Sequence, residues 1–247
     1  MAFLGLTGCS TMTKSTSSDG TLQAKTFQPS RSASEKVKCL VFLPEGYHAD
    51  SAKRWPLMLF LHGSGERGTN VWKVAFHGPP KYVKTHPDFP FILVSPQCPS
   101  GKSWQTESLL SLLDDVTGKY RVDTNRVYLT GLSMGGYGVW SLGTAYPERF
   151  AAIAPICGGG ETITVLLSVY DKLAALKALP VWAFHGAKDP VVSLEESERM
   201  VKALKAAGCK DVQLTVYPEV EHNSWEQTYN NPELYQWLLR HELKPVK

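Results

Sequence analysis

Short apolar segments alternate with amphipathic ones along most of the chain. Several of the apolar segments have no polar interruption, which is typical of strands covered on both faces of a parallel sheet. The strands predicted in this way span residues 36–44, 56–63, 90–97, 126–131, 151–158, 180–186 and 212–218. Strand–helix–strand alternation predicts an α/β fold with a doubly wound, mostly parallel central sheet flanked by helices.

The amphipathic segments have the periodicity and the end signals of helices. The clearest of them span residues 108–120, 193–208 and 231–243. Ser193 and Glu196 form a capping-box pattern at the start of the second helix. Asn231 followed by Pro232 predicts the N-terminus of the third, with the asparagine as N-cap.

The first 25 residues differ from the rest of the chain. The segment "MAFLGLTGCS" is apolar up to Cys9, and its "LTGC" resembles a bacterial lipobox. Eight residues precede Cys9 and none is basic, which is less than a signal peptide needs. The segment after it is polar, rich in Ser and Thr, and typical of a disordered tether. We therefore predict a lipoprotein leader remnant and tether over 1–25, and one folded domain over 26–247.

Cys9 also decides the expected location of the protein. In lipoproteins, the cysteine of such a motif becomes the lipid-modified first residue. The resemblance therefore implies export and a lipid anchor on a bacterial membrane. Without that processing, the protein is expected to be cytoplasmic.

Composition and charge exclude several classes of protein. The chain has 247 residues, 43% hydrophobic and 20% charged, as in ordinary globular proteins. Its formal charge is only +3 and basic residues are mixed with acidic ones, so we expect no nucleic-acid partner. The five cysteines have neither CxxC nor Cys/His spacing, so no metal is expected and buried thiols are the preferred interpretation. A disulfide among the four after Cys9 stays open for an oxidising compartment.

Four glycines surround Ser133 in the segment "YLTGLSMGGYGVW", residues 128–140. Gly131 to Gly135 fit G-x-S-x-G, and the segment lies between a predicted strand and a helix-like run, as that motif requires. In such a turn the serine backbone is strained, and a side chain at either flanking glycine would collide with a neighbouring element. Ser133 is therefore the predicted nucleophile, and it needs a base because a serine hydroxyl alone is a weak nucleophile.

The acid and the base are predicted from chain order and from strand ends. In folds of this kind the order is Ser, then Asp or Glu, then His, all beyond carboxyl ends of strands. Asp189 follows the predicted strand 180–186, and His222 lies in the loop after the last strand. Glu219 is the second choice for the acid. His241 is rejected as the base because we expect it to be exposed in the C-terminal helix.

Acyl transfer also needs backbone N–H groups directed at the developing oxyanion. The N–H of Met134, at the start of the helix after the serine, is one predicted donor. The second is expected in the loop 62–68, from Ser64 or alternatively from Gly65. Trp104 follows another predicted strand, and it either lines the acyl or alcohol pocket or covers the core.

Four motifs together resemble those of α/β-hydrolase serine esterases. They are "LHGSGERG", "GLSMGGYG", "HGAKDPV" and "EHNSW", and the resemblance extends over residues 36–243. It is strongest to the polyhydroxybutyrate-depolymerase-like and feruloyl-esterase-like branch, often labelled phospholipase/carboxylesterase. The resemblance implies a cofactor-free hydrolase that works through an acyl-enzyme.

The segment 158–179 is too short for the large lid that lipases of this superfamily often insert at this point. We therefore expect an open site that accepts short-chain or aryl esters, either as small molecules or attached to a polysaccharide. A prolyl-oligopeptidase-type peptidase, a lysophospholipase and a thioesterase remain alternatives, because they use the same chemistry. A non-catalytic scaffold is the least expected reading, because every catalytic position is filled. The sequence leaves the oligomeric state open.

Overall fold

One eight-stranded sheet runs through the protein in the computed structural model, which describes residues 18–28 and 36–243. The strands are β1 (Leu22–Phe27), β2 (Val37–Phe42), β3 (Trp55–Leu61), β4 (Ile92–Pro96), β5 (Val122–Leu132), β6 (Ala152–Ile156), β7 (Val181–Gly186) and β8 (Val212–Tyr217). Their order across the sheet is β1-β2-β4-β3-β5-β6-β7-β8. The pairs β1–β2 and β2–β4 are antiparallel and the others are parallel, which confirms the predicted fold class.

Helices connect these strands and cover the sheet. They are α1 (Gly78–Tyr82), α2 (Thr106–Lys119), α3 (Met134–Ala145), α4 (Thr162–Asp171), α5 (Leu173–Ala178), α6 (Leu194–Ala206), α7 (Trp225–Asn230) and α8 (Pro232–Leu239). Short 3-10 helices span Ser64–Glu66, Val71–Phe76 and Pro147–Arg149.

The strand β3 shows why the central strands read as unbroken apolar runs. Its seven residues are all buried. Because successive side chains point to opposite faces, Leu57 and Leu59 join one buried cluster while Met58 and Phe60 join another. The sheet therefore has an apolar core on each face, which leaves polar chemistry to the loops at its edges.

The carboxyl ends of β3, β5, β7 and β8 lie at the same edge of the sheet, because these strands run parallel. The loops after them carry the sequence-predicted residues. Strand order alone therefore gathers them at this edge.

The N-terminal boundary needs a correction. The strand β1 was not predicted, and it begins inside the segment 1–25 that was assigned to the leader and tether. It pairs with β2 at the edge of the sheet, so residues 22–25 belong to the folded domain. Cys9 and its lipobox lie outside the described residues.

The C-terminal helical region also differs from its prediction. Residues 225–230 form the separate helix α7, and α8 ends at Leu239. His241 therefore follows the helix, and it is half-buried rather than exposed, with Nε2 2.9 Å from an Asp211 carboxylate oxygen. Asn231 is the N-cap as predicted, and its side chain accepts a hydrogen bond from the Glu233 N–H at 3.0 Å.

The capping box predicted for α6 is wrong in one respect. Ser193 is the N-cap residue, but among the described contacts its side chain makes no capping hydrogen bond. Its backbone carbonyl accepts the Glu196 N–H at 3.0 Å instead.

The segment between β6 and β7 consists of two short helices, α4 and α5. Within the described part of the chain there is no large lid. The four cysteines in that part are buried free thiols, in line with the preferred interpretation. None of the described helices combines the length and the apolarity that crossing a membrane would require.

Candidate active site

Ser133 lies in the sharp turn that joins β5 to α3. Its φ of 53° and ψ of −117° place a non-glycine residue in a sparsely populated, strained conformation. The turn is held from both sides, since the Ser133 N–H donates to the Ile156 carbonyl at 2.9 Å and its own carbonyl accepts the Tyr137 N–H at 3.1 Å. Strain of this kind persists only where surrounding structure fixes it, and here it presents the hydroxyl above the sheet edge.

The glycines on either side of Ser133 allow α3 and β5 to approach β3 closely. A Cβ on Gly131 would lie 2.7 Å from the Leu61 carbonyl oxygen. A Cβ on Gly135 would lie 2.6 Å from the Leu61 carbonyl carbon and 2.9 Å from the His62 carbonyl oxygen. These are backbone atoms that cannot rotate away, so the predicted collisions are confirmed.

His222 connects Ser133 to Asp189 through both ring nitrogens. Its Nε2 is 2.9 Å from the Ser133 Oγ, and its Nδ1 is 2.7 Å from the Asp189 Oδ2. Because an ionised carboxylate only accepts hydrogen bonds, Nδ1 carries the proton of the neutral ring. Nε2 is then left as the acceptor for the serine hydroxyl. The structure thus brings all three residues together from three separate loops.

The Asp189 carboxylate is fully buried, with 0% of the side chain exposed. Its Oδ1 accepts the N–H groups of Val191 and Val192 at 2.8 and 2.9 Å. Burial alone would raise the pKa of Asp189, but the hydrogen bonds from His222, Val192 and Val191 outweigh it and lower that pKa below its ordinary value. The carboxylate therefore stays ionised opposite the histidine.

The rejected alternatives have other partners. Glu219, the second choice for the acid, has an 82% exposed side chain and pairs with Lys188. His241 pairs with Asp211.

The predicted oxyanion donors lie at the starts of two helices. The Met134 N–H is the first of α3, and Ser64 begins the 3-10 helix after β3, so both are positions where a helix has no internal acceptor. The Gly63 N–H is occupied, because it donates to the buried Glu66 carboxylate at 3.0 Å. This leaves the exposed Ser64 and Gly65 as the two choices, as in the prediction.

His62 fixes the loop that carries Ser64. Its Nδ1–H donates to the Gly63 carbonyl at 2.6 Å, and its Nε2 accepts the Cys98 N–H at 3.0 Å. Burial lowers the pKa of His62 from 6.5 to about 4, so the ring is neutral at physiological pH, as the Cys98 contact requires. The histidine that directly follows β3 therefore links this loop to the one after β4.

A family model described as phospholipase/carboxylesterase matches residues 102–232, which is more than half of the chain. The chain belongs to the phospholipase/carboxylesterase family. Its named relatives and structural neighbours include carboxylic ester hydrolases of the α/β-hydrolase fold.

Among these relatives is a bifunctional acetylxylan esterase/xylanase of Neocallimastix patriciarum, 28% identical over 154 residues. That match covers 60% of this chain and 21% of the relative. The crystal structure of a thermostable esterase superimposes with a TM-score of 0.74 at 32% identity, covering 91% of this chain and 64% of the other. A feruloyl esterase module of Clostridium thermocellum shares the fold with a TM-score of 0.69 at 17% identity, covering 92% and 90%. The chain thus spans about a fifth of the length of the first relative.

Trp104 covers the core, which is one of the two roles that the sequence left open, and its place in the acyl or alcohol pocket stays a prediction. It packs against the buried cluster, and its Nε1–H donates to the His62 carbonyl at 3.1 Å. It also lines a cavity of about 460 Å³ together with Leu109 and Leu112. Ser133, His222 and Asp189 do not belong to the lining of that cavity. Trp104 is therefore linked to the site through its hydrogen bond to the His62 carbonyl.

Two further residues beside Ser133, His222 and Asp189, which form the candidate triad, were not foreseen. Trp225, the first residue of α7, packs edge-on against His222 with ring centroids 5.3 Å apart and planes at 90°. His185, at the end of β7, lies with its Nε2 3.3 Å from the Asp189 Oδ2. Each is close in sequence to a triad residue, three positions after His222 and four before Asp189, and this spacing was the only available signal.

Proposed function

We propose that the chain is a serine carboxylesterase that hydrolyses short-chain or aryl carboxylic esters through an acyl-enzyme. The observation that carries this proposal is the pair of hydrogen bonds that joins Ser133 to His222 at 2.9 Å and His222 to Asp189 at 2.7 Å. The strained serine at a helix N-terminus supports it as well.

In the proposed mechanism the Ser133 Oγ attacks the ester carbonyl while its proton moves to the His222 Nε2. The buried Asp189 carboxylate stabilises the resulting imidazolium. The N–H groups of Met134 and Ser64 receive the oxyanion, and each such donor is typically worth about 2.7–4 kcal/mol of barrier. His222 then gives the proton to the departing alcohol, which leaves Ser133 acylated.

Deacylation repeats these steps with water. His222 removes a proton from a water molecule as that water attacks the acyl carbon. The Ser133 oxygen then leaves, takes the proton back from His222, and the carboxylic acid is released. No cofactor takes part in this sequence.

The substrate class rests on the shape of the site region. Ser133 is half-buried, and the short helices α4 and α5 take the place of a large lid, which favours small acyl groups or the ester-bearing ends of large molecules. The relative named as an acetylxylan esterase supports esters carried by a polysaccharide as a second form of substrate.

The test is hydrolysis of p-nitrophenyl acetate, p-nitrophenyl butyrate, methyl ferulate and acetylated xylan by the wild type and by Ser133→Ala. We expect kcat to fall by at least about 10⁴-fold in Ser133→Ala. The matched control is Ser193→Ala, at an exposed serine without a capping bond, and it should keep full activity. Substantial ester hydrolysis by Ser133→Ala would contradict the proposal.

The same panel distinguishes the alternatives. A proline-containing chromogenic peptide would be cleaved by a prolyl-oligopeptidase-type enzyme, and an acyl thioester or a lysophospholipid by the other two classes. We expect p-nitrophenyl acetate to give the highest kcat/KM of these probes. A preference for the peptide would replace the esterase assignment.

A further inference from the structure

His185 is a buried histidine that the proposed mechanism does not use. It is the penultimate residue of β7, and 0% of its side chain is exposed. Its Nδ1 is 2.7 Å from the Ser197 Oγ of α6, and its Nε2 is 2.9 Å from the Val192 carbonyl oxygen. The same Nε2 is 3.3 Å from the Asp189 Oδ2. The ring therefore bridges α6 to the loop that carries the candidate acid.

The neighbours of His185 determine where its proton lies. The Val192 carbonyl and the ionised Asp189 carboxylate are both acceptors only, so Nε2 must carry a proton. The Ser197 hydroxyl has two choices, because it is also 2.9 Å from the Gly158 carbonyl oxygen. It either donates to Nδ1 or donates to Gly158 and accepts from Nδ1. The Nε2–H is common to both arrangements.

The Asp189 Oδ2 therefore pairs with one ring N–H and lies near a second, whose own hydrogen bond goes to the Val192 carbonyl. One is the Nδ1–H of His222 at 2.7 Å, and the other is the Nε2–H of His185 at 3.3 Å. Both draw on the negative charge of a single oxygen atom. The more of that charge His185 compensates, the less remains to stabilise a protonated His222.

We propose that His185 is a positioning residue that acts through Asp189. It holds the Asp189 Oδ2 towards His222 and reduces the negative charge that acts on the His222 ring. This inference rests on the proposed function, because it assigns a role within the same site. His185 touches neither Ser133 nor a reacting atom in this scheme, so its effect reaches the chemistry only through the carboxylate.

Other titratable or charged groups near Asp189 within the described residues come from α3, from the loop after β6, from α6 and from the loops after β7 and β8. They include Tyr137 and Cys157, the Glu196–Arg199 ion pair beside Tyr137, and the Lys188–Glu219 ion pair. Burial raises the pKa of Cys157 to about 12 and the pKa of Tyr137 above its ordinary value, so both stay neutral between about pH 5 and 9. A change in activity within that pH range therefore comes from His185 or His222.

The test compares His185→Leu, which removes the N–H, with His185→Gln, whose Nε2–H reaches the same position. In His185→Leu the uncompensated carboxylate should hold His222 protonated to higher pH. We expect the acid limb of the kcat/KM profile for p-nitrophenyl acetate to move up by about 0.5–1 pH unit, with kcat about tenfold lower and KM nearly unchanged. His185→Gln should restore most of the limb position. A loss of activity without movement of the limb, or equal movement in both variants, would reduce His185 to a packing residue and overturn the proposal.

A second measurement does not depend on turnover. In ¹⁵N-histidine NMR of the wild type, the His185 Nε2 should keep a directly bonded proton from about pH 5 to 9, assigned by its loss in His185→Gln. An Nε2 without a proton in that range would overturn the inference. If the wild type failed to hydrolyse esters, the proposed function would fall separately. The pH midpoint of the His222 ring signals in wild type and His185→Leu would still decide the role of His185, which requires the higher midpoint in the variant.

Discussion

Adding one methyl group at Gly135 should damage both the stability of the fold and the geometry of the site. The new Cβ would lie 2.6 Å from the Leu61 carbonyl carbon and 2.9 Å from the His62 carbonyl oxygen. The Leu61 carbonyl oxygen would lie closer still, and ordinary contact begins near 3.4 Å, so α3 or the end of β3 must move by roughly 1.5 Å. Both partners are backbone, and no side-chain rotation relieves the contact.

The magnitude follows from that displacement. Overpacking typically costs about 1–3 kcal/mol, and we expect the upper end because a central strand must yield. For a domain of this size, about 3 kcal/mol corresponds to a Tm lower by about 6–12 °C. The movement separates Ser133 and Met134 from the loop of Ser64, and a misplacement of about 1 Å costs roughly 100-fold in rate.

The assay is thermal and urea unfolding together with p-nitrophenyl acetate kinetics on Gly135→Ala. Gly118→Ala in α2 is the matched control, because no described heavy atom lies within 4 Å of the added Cβ. That variant should gain about 0.5–1 kcal/mol in the free energy of unfolding, with unchanged kcat. A Gly135→Ala protein with wild-type Tm and kcat would refute the close-approach reasoning.

Three further changes test other contacts of the site. Asp189→Asn should lower kcat by about 10³–10⁴-fold in the ester assay, because the amide favours the wrong tautomer of His222, while a near-normal kcat would count against the assignment of the acid. Burial lowers the pKa of His62 to about 4 from 6.5 in the unfolded chain, so the unfolded state binds more protons between these values. The contribution of His62 to the free energy of unfolding should therefore be complete above about pH 6.5, and it should fall by up to about 3 kcal/mol as the pH drops to about 4. Urea titrations of His62→Gln should lack this part of the pH dependence. Trp104→Phe removes the hydrogen bond to the His62 carbonyl, so kcat should fall by a similar factor for acetate, butyrate and hexanoate esters. A loss that grows with acyl length would assign Trp104 to the acyl pocket instead.

The sequence was sufficient for the central sheet and for the grouping of Ser133, His222 and Asp189, because both depend on local patterns. Unbroken apolar runs such as β3 identify buried parallel strands, and their parallel ends gather the following loops at one edge. Once Ser133 was recognised in its glycine-rich turn, chain order and strand ends favoured Asp189 as the acid, with Glu219 second, and His222 as the base. The relative position of the three then followed from topology rather than from any single residue.

The misses occurred where local pattern is weak. The strand β1 mixes polar and apolar residues and follows a polar segment, so nothing but its pairing with β2 identifies it. The helix α7 has six residues, too few for a periodicity to be visible. The exposure expected for His241 was wrong because its partner, Asp211, lies 30 positions away in the chain.

The contacts around the triad were missed for the same reason, because no local pattern marks them. His185 precedes the acid in the chain. That order rules it out as the base, but it does not prevent contact with Asp189 within one turn-forming loop. The role of His62 depends on a hydrogen bond with the Cys98 N–H, which joins the loops after β3 and β4. No sequence pattern relates these two loops.

The central claim is that Ser133 is the nucleophile, and covalent labelling tests it most directly. The protein is incubated with a fluorophosphonate probe at neutral pH, digested, and the modified peptide is identified by mass spectrometry. We predict a single adduct on Ser133, formed in parallel with the loss of p-nitrophenyl acetate hydrolysis and absent in Ser133→Ala. An adduct on another residue that accounts for the inactivation, or full hydrolytic activity without any adduct, would contradict the account.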